Sequence, residues 1–296
     1  MAENLLSRDE LDKWLRDFFR VDTFEDYCHN GLQVEGAAEI RKVILGVSLN
    51  GLLLRAAIEA GADAVVVHHG FFGKEFFRLT GIRRKWAAIL IQHNISLFGV
   101  HLPMDAHPVA GHNARLLKWM GAGSPEPLGP GFIAENTAGL GLDGLLERLE
   151  RHLPNPGTPP PPTRHPGAET FNMEWRRGFQ VLANGPEIPR VLAVISGGSS
   201  GMYETAVSRG VEAFFCGEIK EPVPAISRET ATHFINLGHY RSEIPGILAL
   251  RDELTSRFGL DARFADIPNP SNHFRKGGLP WAKTNLPGWG CFSLPA

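Results

Sequence analysis

Along this chain, short apolar runs of strand length alternate with stretches whose apolar residues recur at helical spacing. The first such stretch opens on Ser7-Arg8-Asp9-Glu10 and continues through Leu11, Leu15, Phe18 and Phe19. The S-x-x-E start is a capping box, and the spacing predicts a helix. RKVILGV (41–47) predicts a strand, and LLLRAAIEAG (52–61) a helix closed by Gly61. ADAVVVHH (62–69) reads as a buried strand, WAAILIQHN (86–94) as a helix, ISLFGV (95–100) as a strand and VAGHNARLLKWMG (109–121) as a helix. Regular alternation of this kind predicts α/β layers.

The pattern then breaks. GAGSPEPLGPG (121–131) reads as a connection and GLDGLLERLERHL (141–153) as a helix. PNPGTPPPPTRHPG (154–167) holds four consecutive prolines and predicts a semi-rigid loop. Alternation returns with VLAVISG (191–197), SGMYETAVSRG (200–210), EAFFCGE (212–218), PAISRETAT (224–232), HFINLGH (233–239) and a helix over 244–257. ARFADIPNP (262–270) predicts a closing strand, and the Gly/Pro-rich remainder a loosely ordered tail or a docking arm.

The two alternating regions resemble one another. RAAIEAGADAVVVHHG (55–70) lies over ETAVSRGVEAFFCGEI (204–219), with Gly61 on Gly210, Asp63 on Glu212 and His69 on Glu218. LFGVHLPMD (97–105) lies over INLGHYRSE (235–243) with a small length difference. Each segment is an apolar strand, then His, three residues and an acid. The expectation is an internal duplication giving two similar lobes, each layered α/β/α, with a metal site in the cleft between them. The first lobe takes residues 1–125 plus 240–296. The second takes 126–239 and carries the Pro-rich loop.

Composition narrows this only slightly. The formal net charge is −2 over 296 residues, so no global basic field points to nucleic acid. Arg83, Arg84 and Lys85 read as a solvated helix face. Cys28, Cys216 and Cys291 form no C-x-x-C pair, which argues against a zinc ribbon or dithiol centre and fits a reducing compartment. The N-terminal residues have no signal-like apolar stretch, and no apolar run has the ~18 residues of a membrane span. The expected location is cytoplasmic.

The candidate chemistry sits at strand ends. In VVVHHG (65–70), His68 and His69 close a buried strand, where imidazoles need partners. Hydrogen-bonded core histidines would satisfy that need, and so would a metal. His101 precedes Asp105 by four residues, as His239 precedes Glu243, and residues so spaced are neighbours on a helix. Imidazole and carboxylate donors without thiolate suit two divalent ions and leave Fe, Zn, Mn and Co open. SGGSSG (196–201) lacks a P-loop lysine and reads as a tight turn or an anion cradle. HNGLQVEG (29–36) reads as a turn or a loop closing over a site, and FGKEFF (72–77) as a hydrophobic contact. No G-x-S-x-G elbow is present, which disfavours covalent catalysis.

Taken together, HNGLQVEG, VVVHHGFFGKE, GVHLPMDAHPVAGHNARL, AFFCGE, INLGHYRSE and ADIPNP resemble the NIF-three-like dinuclear metal centre family. Its members often carry the label GTP cyclohydrolase I type 2 homologue. The resemblance covers most of residues 25–125 and 190–270. It implies two metal ions in the inter-lobe cleft and a homohexamer built as a trimer of dimers. It also implies the ligands His68, His69, Asp105, His239 and Glu243. His69 and Asp105 would hold one ion, His68 and His239 the other, and Glu243 would bridge. His101 would lie beside the site as acid/base or substrate contact. Gly73 departs from a frequent Trp, Ser48 from a frequent Asp, and His112 from the first Asn of the usual GNNA. The proline loop and residues 271–296 are additions to the shorter members.

The expected activity is metal-dependent hydrolysis by a metal-bound hydroxide, with His101 as proton shuttle and Glu243 as the second catalytic group. The substrate would be a small molecule, a nucleotide such as GTP or a phosphoester. The competing expectation is a non-catalytic metal-delivery protein or a regulatory partner-binding ring. A ring with nucleic acid in a central channel is less favoured, because the chain is near neutral.

Overall fold

The computed structural model describes residues 5–73, 79–154 and 169–269. FGKEFF beyond Gly73, nearly all of the proline loop and the 271–296 tail lie outside these residues. Helix α1 (Arg8–Phe19) starts on the expected capping box. The Ser7 side chain accepts from Glu10 N, and the Glu10 carboxylate accepts from Ser7 N. Such a cap is worth about 1 kcal/mol.

Strands β1 (Gly31–Val34), β2 (Lys42–Ser48), β3 (Ala64–His69) and β4 (Ser96–Gly99) follow, with helices α2 (Gly51–Ala60) and α3 (Gly81–Gln92) between them. Two short steps, α4 (Leu102–Asp105) and α5 (His112–Met120), come next. The second region contains β5 (Glu126–Leu128), β6 (Gly131–Glu135), α6 (Leu142–Glu150), β7 (Met173–Arg176), β8 (Phe179–Leu182), β9 (Val191–Ile195), α7 (Tyr203–Ser208), β10 (Ala213–Cys216), α8 (Val223–Glu229) and β11 (His233–Asn236). The chain returns through α9 (His239–Ser242) and α10 (Ile244–Phe258) to β12 (Asp261–Phe264).

Two sheets result. The first has the order β12-β2-β3-β4-β1, and the second β5-β6-β9-β10-β11-β8-β7. In the first, β2, β3 and β4 run parallel, and β1 adds antiparallel to β4. In the second, β9, β10 and β11 run parallel, and β8 adds antiparallel to β11. The parallel registers correspond too: Val43 lies opposite Ala64, as Leu192 lies opposite Ala213.

Both faces of each central strand are covered, which is why these strands read as continuous apolar runs. Val43, Leu45, Val47, Ala64 and Val66 pack toward Leu11 and Leu15 of α1 and Ile247 and Leu250 of α10. Ile44, Val65 and Val67 point the other way, onto Leu53 and Ala57 of α2 and Leu90 of α3. The second sheet is covered by α5 and α6 on one face and by α7 and α8 on the other. Cys28 and Cys216 are buried free thiols. Among the described residues no helix is long and apolar enough to cross a membrane.

Three expectations are corrected. Part of HNGLQVEG is not a loop, because Gly31–Val34 is an edge strand paired to β4. The 121–131 connection contains most of a hairpin, β5–β6. Helix α3 begins at Gly81, five residues before the expected start; its first turn holds one apolar residue, the exposed Ile82, ahead of the basic run Arg83, Arg84 and Lys85.

Candidate metal centre

The parallel strands of both sheets end at one cleft. His68 continues the face of Ala64 and Val66, and His69 that of Val65 and Val67. Just beyond β4 lie His101 and Asp105, and beyond β11 lie His239 and Glu243. Ser196 follows β9, and Glu218 follows β10. All the expected ligands therefore meet in one place.

Glu243 is at the middle. It is buried, and its Oε1 lies 3.6 Å from His68 Nε2 and 3.1 Å from His239 Nε2. Its Oε2 lies 3.4 Å from His69 Nε2. Asp105 Oδ2 lies 3.6 Å from His68 Nε2. These distances group His68 with Asp105 and His69 with His239, where the expectation grouped His69 with Asp105 and His68 with His239. Glu243 touches both groups. Donors bound at ~2.1 Å to one ion stand at most about 4.2 Å apart, so the spacings suit shared ions. The ligand atoms of His69, His239 and Glu243 all lie within 4.8 Å of one another, as do those of His68, His69 and His101.

The remaining polar atoms orient these donors. His68 Nδ1 bonds the Val100 carbonyl at 2.9 Å, and His239 Nδ1 bonds Glu218 Oε1 at 2.6 Å. Ser48 Oγ lies 3.0 Å from His69 Nδ1, so serine holds an orienting position. Ser196 Oγ donates to Asp105 Oδ1 at 2.6 Å. His101 Nδ1 bonds both oxygens of Asp26, at 2.9 and 3.1 Å. Outer partners of this kind fix which nitrogen faces a metal.

Electrostatics point the same way. Burial pushes the His68 imidazole down to about 4, so it is neutral with a lone pair toward two carboxyls. Burial and the nearby Glu243 charge push Asp105 well above the usual carboxylate range. Burial would raise Glu243 as well, but His69, His68 and His239 outweigh it and hold that group well below its usual range. His239 goes up to about 9: burial opposes this, and bonds and charges from Glu243 and Glu218 win. Among the described residues, two buried atoms at the centre, His68 Nε2 and Glu243 Oε2, have no hydrogen-bond partner. Buried lone pairs facing each other without a proton between them are costly, and a cation resolves them.

The centre opens on a cleft of about 530 Å³, with Tyr27, Phe72 and Leu102 on one wall and Gly197 and Gly198 on the other. Gly197 is required here. Its φ is +64°, and a Cβ would come within 2.5 Å of Glu243 Oε1. SGGSSG is therefore a close-approach turn over the Glu243 carboxylate.

The sequence reading missed Asp26, Ser196 and Glu218 as parts of the site. Glu218 was signalled by its alignment with His69. Asp26 had no signal, since an acid ahead of a turn is ordinary. His101 and Asp105, read as helix neighbours, have separate partners: among the described residues His101 pairs with Asp26 and Asp105 with Ser196.

The profile of the Duf34/NIF3 (NGG1p interacting factor 3) family matches residues 6–270, and the chain belongs to that family. A Yersinia pestis protein named "GTP cyclohydrolase 1 type 2 homolog" is 38% identical over 269 residues, covering 88% of this chain and 98% of its own. A solved structure described as "protein ybgI, unknown function" superposes with a TM-score of 0.76 at 31% identity, over 90% of this chain and all of its own. A structure from Thermus thermophilus does so at 0.75 and 28% identity, over 89% of this chain and 99% of its own. The clustered His, Asp and Glu side chains are a candidate metal-binding site of the kind this family is expected to carry.

Proposed function

We propose that this chain is a dinuclear metal-dependent hydrolase acting on a small phosphoester or nucleotide-like substrate. The observation that carries the reading is Glu243: one buried carboxylate within 3.1 to 3.6 Å of three histidine Nε2 atoms, at the floor of an open cleft. His68 and Asp105 would hold one ion, His69 and His239 the other, and Glu243 both. Two such divalent ions, whether iron, zinc, manganese or cobalt, would acidify a bound water and polarise a phosphoryl or carbonyl oxygen. His101, its Nδ1 proton held by Asp26, presents Nε2 as the group that takes and returns a proton. Tyr27 and Phe72 offer the substrate an apolar wall.

The name shared by curated relatives makes GTP one substrate to assay. Among the described residues, however, no lysine or arginine lines the cleft. A triphosphate would have only the ions and histidines to meet its charge, which favours a monoester. The corresponding registers of the two sheets support descent from an internal duplication, with lobes 1–125 plus 240–296 and 126–239. The same reading includes a cytoplasmic homohexamer, a trimer of dimers, for which light scattering of the purified chain is the test.

The deciding experiment is metal content with turnover. Purified protein should carry about two divalent ions, as two-metal hydrolases do, and should cleave aryl phosphate monoesters. A loaded protein that turns over neither phosphoesters nor GTP would move the metal-delivery reading to first place.

A further inference from the structure

The histidines at the centre differ in which ring nitrogen is already committed. His68, His101 and His239 each direct Nδ1 at an atom that can only accept: the Val100 carbonyl, the Asp26 carboxylate and the Glu218 carboxylate. Nδ1 therefore carries a proton in all three, and Nε2 is the atom left to offer a lone pair.

His112 is built the opposite way. The backbone N–H of Gly246 donates to His112 Nδ1 at 2.9 Å. A backbone N–H can only donate, so Nδ1 holds the lone pair and the proton of the neutral ring sits on Nε2. Flipping the ring would set a C–H against the Gly246 N–H, so the orientation is fixed. Glycine at 246 permits the approach, because a Cβ there would lie 2.8 Å from Nδ1. His112 is fully buried, and its Nε2 has no hydrogen-bond partner among the described residues. The ring stands edge-on to His68, centroids 4.7 Å apart. One of its nitrogens lies within 4.8 Å of a ring nitrogen of His68 and a carboxylate oxygen of Asp105.

His68, Asp105 and His112 thus have the spacing of three ligands, yet the third has no lone pair to give. We infer that His112 is a hydrogen-bond donor to the centre and not a ligand. Its Nε2–H serves a water-sized oxygen species held at the buried, His68–Asp105 end. Such an acceptor satisfies a buried N–H that is otherwise costly to leave unpaired. The inference rests on the metal-centre reading, and it adds a positioning residue beside His68 and Asp105.

The test is long-range proton–nitrogen NMR on the full chain labelled with ¹⁵N-histidine, metal-free and then zinc-loaded. His112→Asn identifies the His112 signals by their loss. His112 should carry its proton on Nε2 in both states, while His68 carries it on Nδ1 and its Nε2 shifts with zinc. A proton on His112 Nδ1, or loss of the Nε2 proton to zinc, overturns the inference. If zinc shifts no ring at all, the metal-centre reading fails, while the metal-free spectrum still decides the His112 tautomer. Zinc affinity gives a second readout. His112→Leu should weaken binding about 10–100-fold, the range for outer hydrogen-bond partners. His112→Asn, with a donor and an acceptor on one amide, should restore most of it. An Asn variant as weak as the Leu variant also overturns the assignment.

Discussion

The two His-x-x-x-acid steps look alike in sequence and do different work. In the second, His239 opens α9 and Glu243 ends it, and the two side chains meet at 3.1 Å. In the first, His101 sits one position earlier, as the N-cap of α4, and Asp105 is the last residue inside that helix. As N-cap, His101 has φ −103° and ψ −111°, outside the helical region, so it does not keep the i,i+4 geometry of residues inside a helix. Its side chain pairs with Asp26, while Asp105 reaches His68 and Ser196. The second step therefore supplies two proposed ligands to one place. The first supplies one ligand and one imidazole with a carboxylate behind it. A spacing rule fixes which residues can be neighbours, and where the helix starts decides which of them are.

The largest effect should come from the carboxylate common to both metal groups. Glu243→Gln keeps the shape and removes the charge that three histidines surround. Bound metal should fall from about two ions toward none, and affinity by more than the ~100-fold ceiling typical of outer-shell changes. Elemental analysis after dialysis reads this directly. Retention of both ions would mean that the two steps do not share Glu243.

Next in size, Asp26→Asn separates the first step from the second. An amide cannot hold the His101 Nδ1 proton with two oxygens as the carboxylate does. Burial would raise the Asp26 acid, but bonds from His101, Asn30 and the Cys28 N–H overcome it and hold the group far below its usual range. Metal content should stay unchanged while phosphoester turnover drops about 100-fold, the lower end of acid–base contributions. Glu218→Gln, the corresponding change behind His239, should instead weaken metal binding about 10–100-fold. If both variants lose metal equally, His101 is a ligand and the contrast collapses.

How far the sequence reached follows from the same contrast. Apolar strands buried on both faces leave an unbroken signal, so the strands carrying His68 and His69 could be read, and the histidines stood out at their ends. The pairing of each imidazole could not. Asp26 reaches His101 across 75 positions of sequence, and Ser196 reaches Asp105 across 91. Such contacts are set by how two sheets meet, which no local period encodes. The β7–β8 hairpin was missed for a different reason: its first strand, MEWR, alternates apolar and polar residues but is only four residues long and half buried, too short a signal to stand out.

Acidity gives a third, smaller contrast. His68, pushed down to about 4, is neutral at pH 7 and has no proton on Nε2 to displace. His239, raised to about 9 between two carboxylates, must lose one before its Nε2 can bind an ion. Protons therefore compete with metal at His239, and also at Asp105, whose raised carboxyl must ionise before it can bind. At the His69–His239 group apparent zinc affinity should rise about tenfold per pH unit from pH 6 toward 9 and then level, because His239 releases one proton on binding. Titration calorimetry in buffers of different ionisation enthalpy counts that proton. In Glu218→Gln the slope should flatten at lower pH, since one of the groups raising His239 is gone.

The smallest effect belongs to His69, which like His68 has no carboxylate behind its Nδ1 among the described residues. His69 Nδ1 has the Ser48 hydroxyl, at 3.0 Å, where His239 has Glu218. A neutral hydrogen bond contributes about 0.5–1.5 kcal/mol, so Ser48→Ala should weaken zinc binding by only about 2–10-fold. Ser48→Asp tests the comparison in the other direction. A carboxylate there would make a charge-assisted bond to His69, roughly twice as strong as a neutral one. It should tighten zinc binding and steepen its pH dependence, giving His69 the arrangement His239 already has. If aspartate weakens binding instead, the cost of a further acid beside Glu243, Asp105 and Glu218 exceeds the gain in orientation. Serine is then the better partner for His69 in a centre already this acidic.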